Sequence, residues 1–290
     1  MATKNLDFKG IIRKLVGKKK IVVTGSSGFL GKNVMRLLPE AIPWDHSNGR
    51  DIFSPEFMEM TKDADVIIHL AAQVSVPASF ENPEFTYHLN VKGTLQVLLA
   101  AEQNKAKLIF PSSAAVYKYL GRNSIRETDE LESLNPYGKS KIEAEYLCAA
   151  FRDHFPIVTL RIFNMYGFNP LPQDDSVINQ FINGVKEGEI VINGDGTQMR
   201  DFISVKDVAK IIVDAVSNPA WDGQIVNVGT GVGISMNQLA ELFQVKEKVK
   251  VTHRDTTMGV RSAIADTLFL RSLYKEPLVT NLAKDLEKNL

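Results

Sequence analysis

Lys20-Ile21-Val22-Val23-Thr24-Gly25-Ser26-Ser27-Gly28-Phe29-Leu30-Gly31 is the stretch on which the reading of this chain turns. An apolar β-branched segment runs directly into three glycines and then into a helix-period pattern from Leu30 to Leu38. That order describes a strand, a tight turn and a helix N-terminus. Gly25 lets the chain turn after the strand, Gly28 removes the Cβ that would hold a pyrophosphate off the backbone, and Gly31 lets the helix lie close to the sheet. The unpaired N–H groups at the helix start then face an anion. The spacing is G-x-x-G-x-x-G, one residue longer between the first two glycines than the dinucleotide fingerprint. Asp45, 20 positions after Gly25, stands where a ribose-binding carboxylate is expected.

The segments that follow keep an alternating rhythm. Ala41–Asp45 reads as a second strand, restricted by Pro43 to a place where no N–H is needed. A helix is expected from Phe53 to Thr61, a buried strand from Asp65 to Ala71, and a long helix from Phe85 to Asn104 with Pro83 near its start. Lys107–Phe110 is the next strand, residues 114–135 are turn-rich, Pro136 opens a helix to about Phe155, and Ile157–Leu160 is a further strand. Beyond Arg161 the rhythm loosens into a Gly/Pro/Asn loop over 167–175, a helix from about Ser176, a turn at 194–196, a strand Asp201–Ser204 and a helix Lys206–Val216. Gln224–Val228 returns to the main sheet, while Ser235–Phe243 and Asp266–Leu273 look like helices of a smaller lobe. The fold class is therefore α/β, a Rossmann-like doubly wound parallel sheet with a smaller C-terminal substrate-binding lobe. The expected division is an N-terminal helical extension (1–19), a dinucleotide-binding domain (20–165, also receiving about 201–229) and a lobe built from 166–200 and 230–290.

Composition is that of an ordinary globular protein. Apolar residues make up 44% and charged residues 23% of 290, and the formal net charge is zero, which gives no bulk affinity for nucleic acid. Charge is uneven, because residues 1–20 hold seven cations against Asp7 for a net of +6. Phe8, Ile11, Ile12, Leu15 and Val16 follow helical spacing there, so residues 5–17 predict a short helix docked on its own domain or a second subunit, with a basic membrane-surface anchor as the alternative. The single cysteine, Cys148, falls within a helical pattern as a buried thiol. The five histidines lack metal-ligand spacing, so no metal is expected. No apolar run approaches the ~20 residues of a membrane span. A cytoplasmic location is the expectation.

Tyr137 and Lys141 stand four apart at the start of a helix and share one face. A free phenol titrates at ~10, and bringing it to ~7 takes about 4 kcal/mol of preferential stabilisation of the phenolate, which a nearby ammonium and an oxidised nicotinamide in a low-dielectric cleft can supply. Tyr137 then serves as a general base or acid near neutral pH. Pro111-Ser112-Ser113 ends the fourth strand where nicotinamide and substrate should meet, so a serine hydroxyl can bond the substrate oxygen.

With these residues in view, the chain from about Lys20 to about Asp266 resembles the extended short-chain dehydrogenase/reductase family, in its NAD-dependent sugar-nucleotide epimerase/dehydratase group. The resemblance rests on Thr24-Gly25-Ser-Ser-Gly28-Phe-Leu-Gly31, Asp51-Ile52, His69-Leu-Ala-Ala72, Asn90-Val-Lys-Gly-Thr94, Pro111-Ser-Ser113, Tyr137-x-x-x-Lys141, Arg161-Ile-Phe-Asn164 and Arg200-Asp-Phe-Ile203, in the family's order. It implies NAD as cofactor, with the pyrophosphate on Gly25, Ser27, Gly28, Phe29, Leu30 and Gly31, the ribose near Asp45 and the adenine near Asp51 and Ile52. Leu70, Ala71, Ala72 and Asn90 complete the implied cofactor site. It further implies Tyr137 as base, Lys141 on the nicotinamide ribose, and Ser113 on the reacting oxygen, preferred to Ser112 by its place in Ser-x-x-Val-Tyr. Asn164 and Arg200 match positions that contact a nucleotide diphosphate, and a second arginine, Arg254 or Arg261, is expected there, with Arg261 preferred. Family members are commonly homodimers through helices 85–104 and 137–155, so a homodimer is expected.

Within the group, 4,6-dehydratases place acidic residues directly after the catalytic hydroxyl, where this chain has Ala114 and Ala115. Fucose-type epimerase/reductases place a cysteine at the position of Ala115. Two readings survive, 4-epimerase and 4-keto reductase, and the run His69–Ser79 with Glu81-Asn-Pro83 looks most like 4-epimerases of UDP-hexoses. A non-catalytic dinucleotide-binding protein of the same fold is the reading of another class.

Overall fold

In a computed structural model, the structure describes residues 17–118, 124–168, 176–244, 249–255 and 262–289. The expected helix over residues 5–17 lies almost wholly outside the described residues. The large domain starts with β1 (Ile21–Thr24), α1 (Phe29–Leu37), β2 (Ile42–Trp44), α2 (Pro55–Thr61), β3 (Val66–His69), α3 (Val76–Glu81) and α4 (Pro83–Tyr87). A π-helical turn (His88–Lys92) then leads into α5 (Gly93–Asn104), β4 (Lys107–Ser113), a 3₁₀ turn (Ala114–Val116), α6 (Pro136–Phe151) and β5 (Ile157–Ile162). The single helix expected over 85–104 is thus interrupted by one π turn, and α3 is an addition, started by Ser75 accepting from the Ala78 N–H.

The remaining elements are β6 (Asn164–Tyr166), α7 (Val177–Glu187), β7 (Glu189–Asn193), β8 (Met199–Ser204), α8 (Val205–Ser217), β9 (Ile225–Val228), β10 (Gly233–Ser235), α9 (Met236–Gln244), β11 (Lys250–Arg254), β12 (Ser262–Ala263), α10 (Leu268–Leu273) and α11 (Leu282–Asn289). The main sheet has six strands in the order β2-β1-β3-β4-β5-β9, all parallel. β2 is an edge strand, and Pro43 is exposed there, where its missing N–H costs no ladder bond. Because β1 is followed by β2 on one side and β3 on the other, the order reverses between β1 and β3, and ligands bind such sheets in the crevice at that reversal.

Both faces of the sheet are covered because its strands are apolar on both. Ile21 and Val23 turn to one core, shared with Val34 of α1, Ile211 and Ile212 of α8 and Trp221. Val22 turns to the other, shared with Phe57, Val97, Leu98, Ala144 and Cys148. Each such fully buried aliphatic side chain contributes about 1.5–3 kcal/mol. A third cluster makes the smaller body, from Phe181, Ile190, Phe202, Leu239, Phe243, Leu282 and Leu286.

The smaller body differs from expectation in its strands. β8 pairs in parallel with β6 and β12 and antiparallel with β10, and β7 pairs in parallel with β11. Apart from β8, none of these strands was expected. The short helix foreseen over 266–273 also changes allegiance, because Leu270 of α10 and the following Tyr274 pack into the core of the main sheet and not into the lobe. Downstream of it the chain crosses between the two bodies. Asp207, at the head of α8, accepts from the N–H groups of Val279 and Thr280 at 2.9 and 2.7 Å, while Tyr166 donates to Asp285 of α11 at 2.7 Å.

Candidate active site

The glycine loop sits at the reversal point. Gly25 has φ +64°, and a Cβ built on it would lie 2.5 Å from the Ala71 nitrogen and 2.6 Å from the Leu70 carbonyl carbon. Gly31 is tighter, its Cβ falling 2.2 Å from the Gly25 oxygen, so β1, α1 and the end of β3 meet backbone to backbone. Gly28 differs: its Cβ would meet only the Gly25 oxygen, at 3.2 Å. It is the N-cap of α1, which has no side-chain cap and no acid in its first turn, so the first N–H groups of Phe29 and Leu30 are left for an anion. Ser26 Oγ is buried there without a partner among the described residues. A diphosphate with nothing larger than hydrogen at position 28 fits this cradle.

Asp45 closes the far side. It accepts from the N–H groups of Ser27 and Ser47 at 3.0 and 2.9 Å, and the Ser47 hydroxyl lies 2.6 Å from it. Partial burial works against its charge, but these bonds from Ser47 and Ser27 outweigh it and hold the carboxyl below the usual range. An ionised acid joined to the phosphate loop suits a ribose with free hydroxyls. Asp51 is exposed and caps the Phe53 N–H at 2.9 Å, with Ile52 buried beside it.

From the loop, a chain of hydrogen bonds reaches the helix that carries the reacting groups. The Ala71 N–H donates to Thr24 Oγ1, which lies 2.8 Å from His69 Nδ1; His69 Nε2 lies 3.3 Å from Thr94 Oγ1, which donates to the Asn90 carbonyl at 2.6 Å. With Thr24 donating to Nδ1, the imidazole carries its proton on Nε2, a tautomer assigned from this network. Burial, with the Lys141 charge adding to it, pushes His69 down to about 3, so the ring is neutral. Asn90 stands in the π turn, a device that recurs at functional sites, and its amide donates to the Gln73 carbonyl and to Ser140 Oγ, both at 2.9 Å. Ser140 in turn donates to the Tyr137 carbonyl at 2.7 Å. Leu70, Ala71 and Ala72 follow β3 directly and are half-buried.

Asn135 caps α6 by accepting from the Gly138 N–H at 2.8 Å, and Pro136 occupies its first turn, which fixes where Tyr137 enters. The Tyr137 phenol and the Ser113 hydroxyl are hydrogen-bonded. Gly138 permits this closeness, because a Cβ there would lie 2.1 Å from Ser133 Oγ and 2.5 Å from the Ala115 oxygen. Ser113 Oγ also accepts from the Ala115 N–H at 3.1 Å.

The electrostatics depart from expectation. Desolvation pushes the Tyr137 phenol up, and the Ser113 bond pulls it down; Lys141 is not among the influences. The ammonium of Lys141 stands 4.5 Å over the Phe110 ring and makes no hydrogen bond among the described residues. Burial lowers it to about 8, against Cys148 and Glu145, which raise it. A donor held over an aromatic face and short of acceptors fits a ribose diol.

Ser112 proves distinct from Ser113, since its hydroxyl is committed to Glu145 of α6. Glu145 and Arg161 were not singled out as site residues from the sequence; a Lys141-x-x-x-Glu145 spacing, one further turn on, was the available signal. Asn164 starts β6 opposite Phe202 of β8, two positions from Arg200, so both stand on neighbouring strands where the lobe meets the sheet. Arg200 Nη1 donates to its neighbour's carbonyl, Met199, at 2.8 Å. Arg261 lies outside the described residues, and Arg254 ends β11, its carbonyl accepting from the Gly194 N–H. No cluster of metal-ligating side chains occurs among the described residues.

Along most of its length the chain is similar to known proteins. The chain is 33% identical over 250 residues, 77% of its length and 81% of the relative's, to a putative UDP-glucose 4-epimerase of Methanocaldococcus jannaschii. It is 30% identical over 275 residues, covering 83% of this chain and 77% of the other, to the dTDP-D-glucose 4,6-dehydratase of Homo sapiens. Among solved structures it resembles the UDP-glucuronic acid 4-epimerase of Bacillus cereus, in complex with UDP-glucuronic acid and NAD, with a TM-score of 0.84 and 25% identity over 92% of this chain and 96% of that one. Residues 21–229 match a single family description, and on that span, with the glycine cradle and the Ser113–Tyr137 pair inside it, the chain is an enzyme of the NAD dependent epimerase/dehydratase family.

Proposed function

We propose that the protein is a UDP-hexose 4-epimerase that works through a transient 4-keto sugar. The observation that carries this reading is the Ser113–Tyr137 hydrogen bond followed at once by Ala114 and Ala115. Eliminating water from a hexose needs a further acid and base beside the ketone, and neither alanine offers one. The resemblance of residues 69–83 to UDP-hexose epimerases and the names of the relatives above support the substrate class.

Tyr137 Oη takes the proton of the sugar 4-hydroxyl as that carbon becomes a ketone. Ser113 holds the same oxygen: its hydroxyl, which accepts from the Ala115 N–H and bonds the Tyr137 phenol, turns its proton to the substrate when the sugar is bound. Lys141 grips the ribose, and Arg200 with Asn164 holds the diphosphate while the sugar turns over. Tyr137 then returns the proton to the opposite epimer. Bound NAD supplies the acceptance and return of the C4 hydride. The α1 N-terminus and Asp45 keep it anchored through the ketone stage, so no nicotinamide is consumed.

The deciding assay incubates purified protein with UDP-glucose, UDP-galactose, their N-acetyl forms and the uronic acids, with and without NADH, and follows products by chromatography. Interconversion of one pair without added nicotinamide is expected. Consumption of a 4-keto sugar nucleotide only with stoichiometric NADH would make the enzyme a reductase, and a 4-keto-6-deoxy product a dehydratase; either result overturns the epimerase.

A further inference from the structure

The reacting pair is held by few bonds of its own, yet one residue or one helical turn away lies a network in which nearly every polar atom is committed. Glu145 Oε1 accepts from the Ser112 hydroxyl at 2.5 Å and from Arg161 Nε at 3.1 Å; Oε2 accepts from Arg161 Nη2 at 2.7 Å and Nε at 3.1 Å. Arg161 Nη1 donates to Tyr117 Oη at 2.9 Å and to the Glu127 carbonyl at 2.8 Å, and its guanidinium stacks 4.9 Å over the Tyr117 ring. Tyr117 Oη donates to Asn227 Oδ1 at 2.6 Å, and the Asn227 amide donates to the Ile125 carbonyl at 2.8 Å. None of Ser112, Tyr117, Glu145, Arg161 and Asn227 is more than 6% exposed.

We propose that Ser112, Glu145 and Arg161 are positioning residues, which lock the C-terminal end of β4 to α6 and so set the distance at which Ser113 meets Tyr137. Three elements that carry site residues meet in this lock. Ser112 precedes Ser113 on β4, Glu145 lies one turn beyond Lys141 on α6, and Arg161 lies on β5 three residues before Asn164. The helix is thereby clamped to the strand end at two levels. Near its start Gly138, lacking a Cβ, lets the Ala115 carbonyl lie close against the helix, and two turns later Glu145 holds Ser112, with Lys141 between them. Stability alone does not require an ion pair here, since apolar residues of similar volume commonly hold a core as well. What the pair adds is direction, because a bidentate guanidinium–carboxylate contact tolerates little rotation. Glu145 has an electrostatic part too. The groups facing Lys141 are Cys148 and Glu145 on its own helix, neutral His69 from β3 and the Phe110 ring from β4, and Glu145 is the one carboxylate among them.

This proposal rests on Ser113 and Tyr137 being the reacting pair, and its test has a readout that needs no substrate. Ser112→Ala removes the link to Glu145 and keeps the ion pair; Ser112→Thr restores the hydroxyl. In protein loaded with NAD, the Tyr137 phenolate is titrated by ultraviolet absorption, taking the difference from Tyr137→Phe. Ser112→Ala is expected to move that titration up by about one pH unit or more, as the Ser113 bond that lowers it is lost, and to cut kcat about tenfold or more with KM and bound NAD unchanged; Ser112→Thr is expected to restore both. Glu145→Gln provides the same titration by a second route if Ser112→Ala folds poorly. An unchanged titration in a folded variant, whether or not its thermal midpoint falls, overturns the proposal and leaves the network a stabilising one. Should the wild type interconvert no sugar nucleotide, the proposed function fails while the titration still decides this one.

Discussion

Gly28 and Gly31 stand three residues apart in the same loop, yet replacing each by alanine should do different things. At Gly31 the new methyl would sit 2.2 Å from the Gly25 oxygen and 2.7 Å from the Ser26 carbonyl carbon and oxygen, all backbone atoms of a turn that Gly25 already holds at positive φ. Either α1 lifts off β1 or the turn opens, a form of overpacking that costs about 1–3 kcal/mol. With an unfolding entropy of about 2.1 cal/mol/K per residue, a chain of this length loses about 1.6 °C per kcal/mol, so Gly31→Ala should melt about 2–5 °C lower. At Gly28 the methyl meets one atom at 3.2 Å and otherwise points into the crevice, so the fold should lose about 1 kcal/mol or less, from alanine being a poorer N-cap than glycine. That methyl occupies the approach of the pyrophosphate to the helix N–H groups. Losing one charge-assisted hydrogen bond of about 1.5–3 kcal/mol should weaken NAD by about ten- to a hundredfold. Calorimetric titration with NAD alongside thermal unfolding separates the two effects. Wild-type NAD affinity in Gly28→Ala, or a wild-type melting point in Gly31→Ala, would refute the assignment of these positions.

Three further outcomes follow from the same geometry. Tyr137→Phe should cut turnover by about 10²–10⁴ while sparing NAD binding, and retention of more than about a tenth of the rate, less than ~1.4 kcal/mol of transition-state stabilisation, would remove Tyr137 as the base. His69, at about 3 in the folded protein against 6.5 unfolded, binds fewer protons when folded, so its contribution is full above pH 6.5 and is lost as pH falls toward 3; denaturant titrations in that window should show a slope shallower by about one proton in His69→Phe, and an equal slope would contradict the buried neutral ring. Phe85, Leu99 and Tyr146 are 51, 42 and 63% exposed on α4, α5 and α6, which suits a homodimer through those helices; light scattering should give twice the chain mass, falling to a monomer in Leu99→Lys/Tyr146→Glu, whereas a wild-type monomer at micromolar concentration removes the dimer.

The doubly wound sheet was legible because its signals are local. β1 to β5 are apolar runs bounded by glycine, proline or polar turns, and each announces itself within a window of a few residues. β6, β10, β11 and β12 were not, because short, partly polar strands whose partners lie far along the chain give little local signal, while the β-branched Ile190-Val191-Ile192 run of β7 did carry one and was passed over. The π turn was hidden inside a pattern that reads as one helix. Leu270 and Tyr274 show that an apolar side chain signals burial without naming the core that receives it. At the candidate site, the glycines, Ser113, Tyr137 and Lys141 were proposed from the sequence because chemistry restricts which residues can serve, and the structure brings Ser113 and Tyr137 into hydrogen-bond contact. Glu145 was not, since a lone charge on a helical pattern looks solvated until Arg161 of β5 is placed beside it, and Arg161 was read only as the start of the Arg161–Asn164 motif.

The crossing of the C-terminal segment between the two bodies bears on how the chain is made. Residues Ile21–Ile162 supply five of the six main strands, yet their core is closed by β9, Trp221, Leu270 and Tyr274. The smaller core waits longer still, for Leu282 and Leu286, which are placed by the Asp207–Thr280 and Tyr166–Asp285 contacts. The two bodies are complete only once Tyr274 and Leu286 respectively have been synthesised, so synthesis up to β5 offers no self-sufficient domain. A nascent chain halted after β5 would display one bare face of β5 and the unsheltered flank of α1, surfaces that chaperones recognise. Both bodies should therefore close late, once the segment from Leu270 to Leu286 is available to pack.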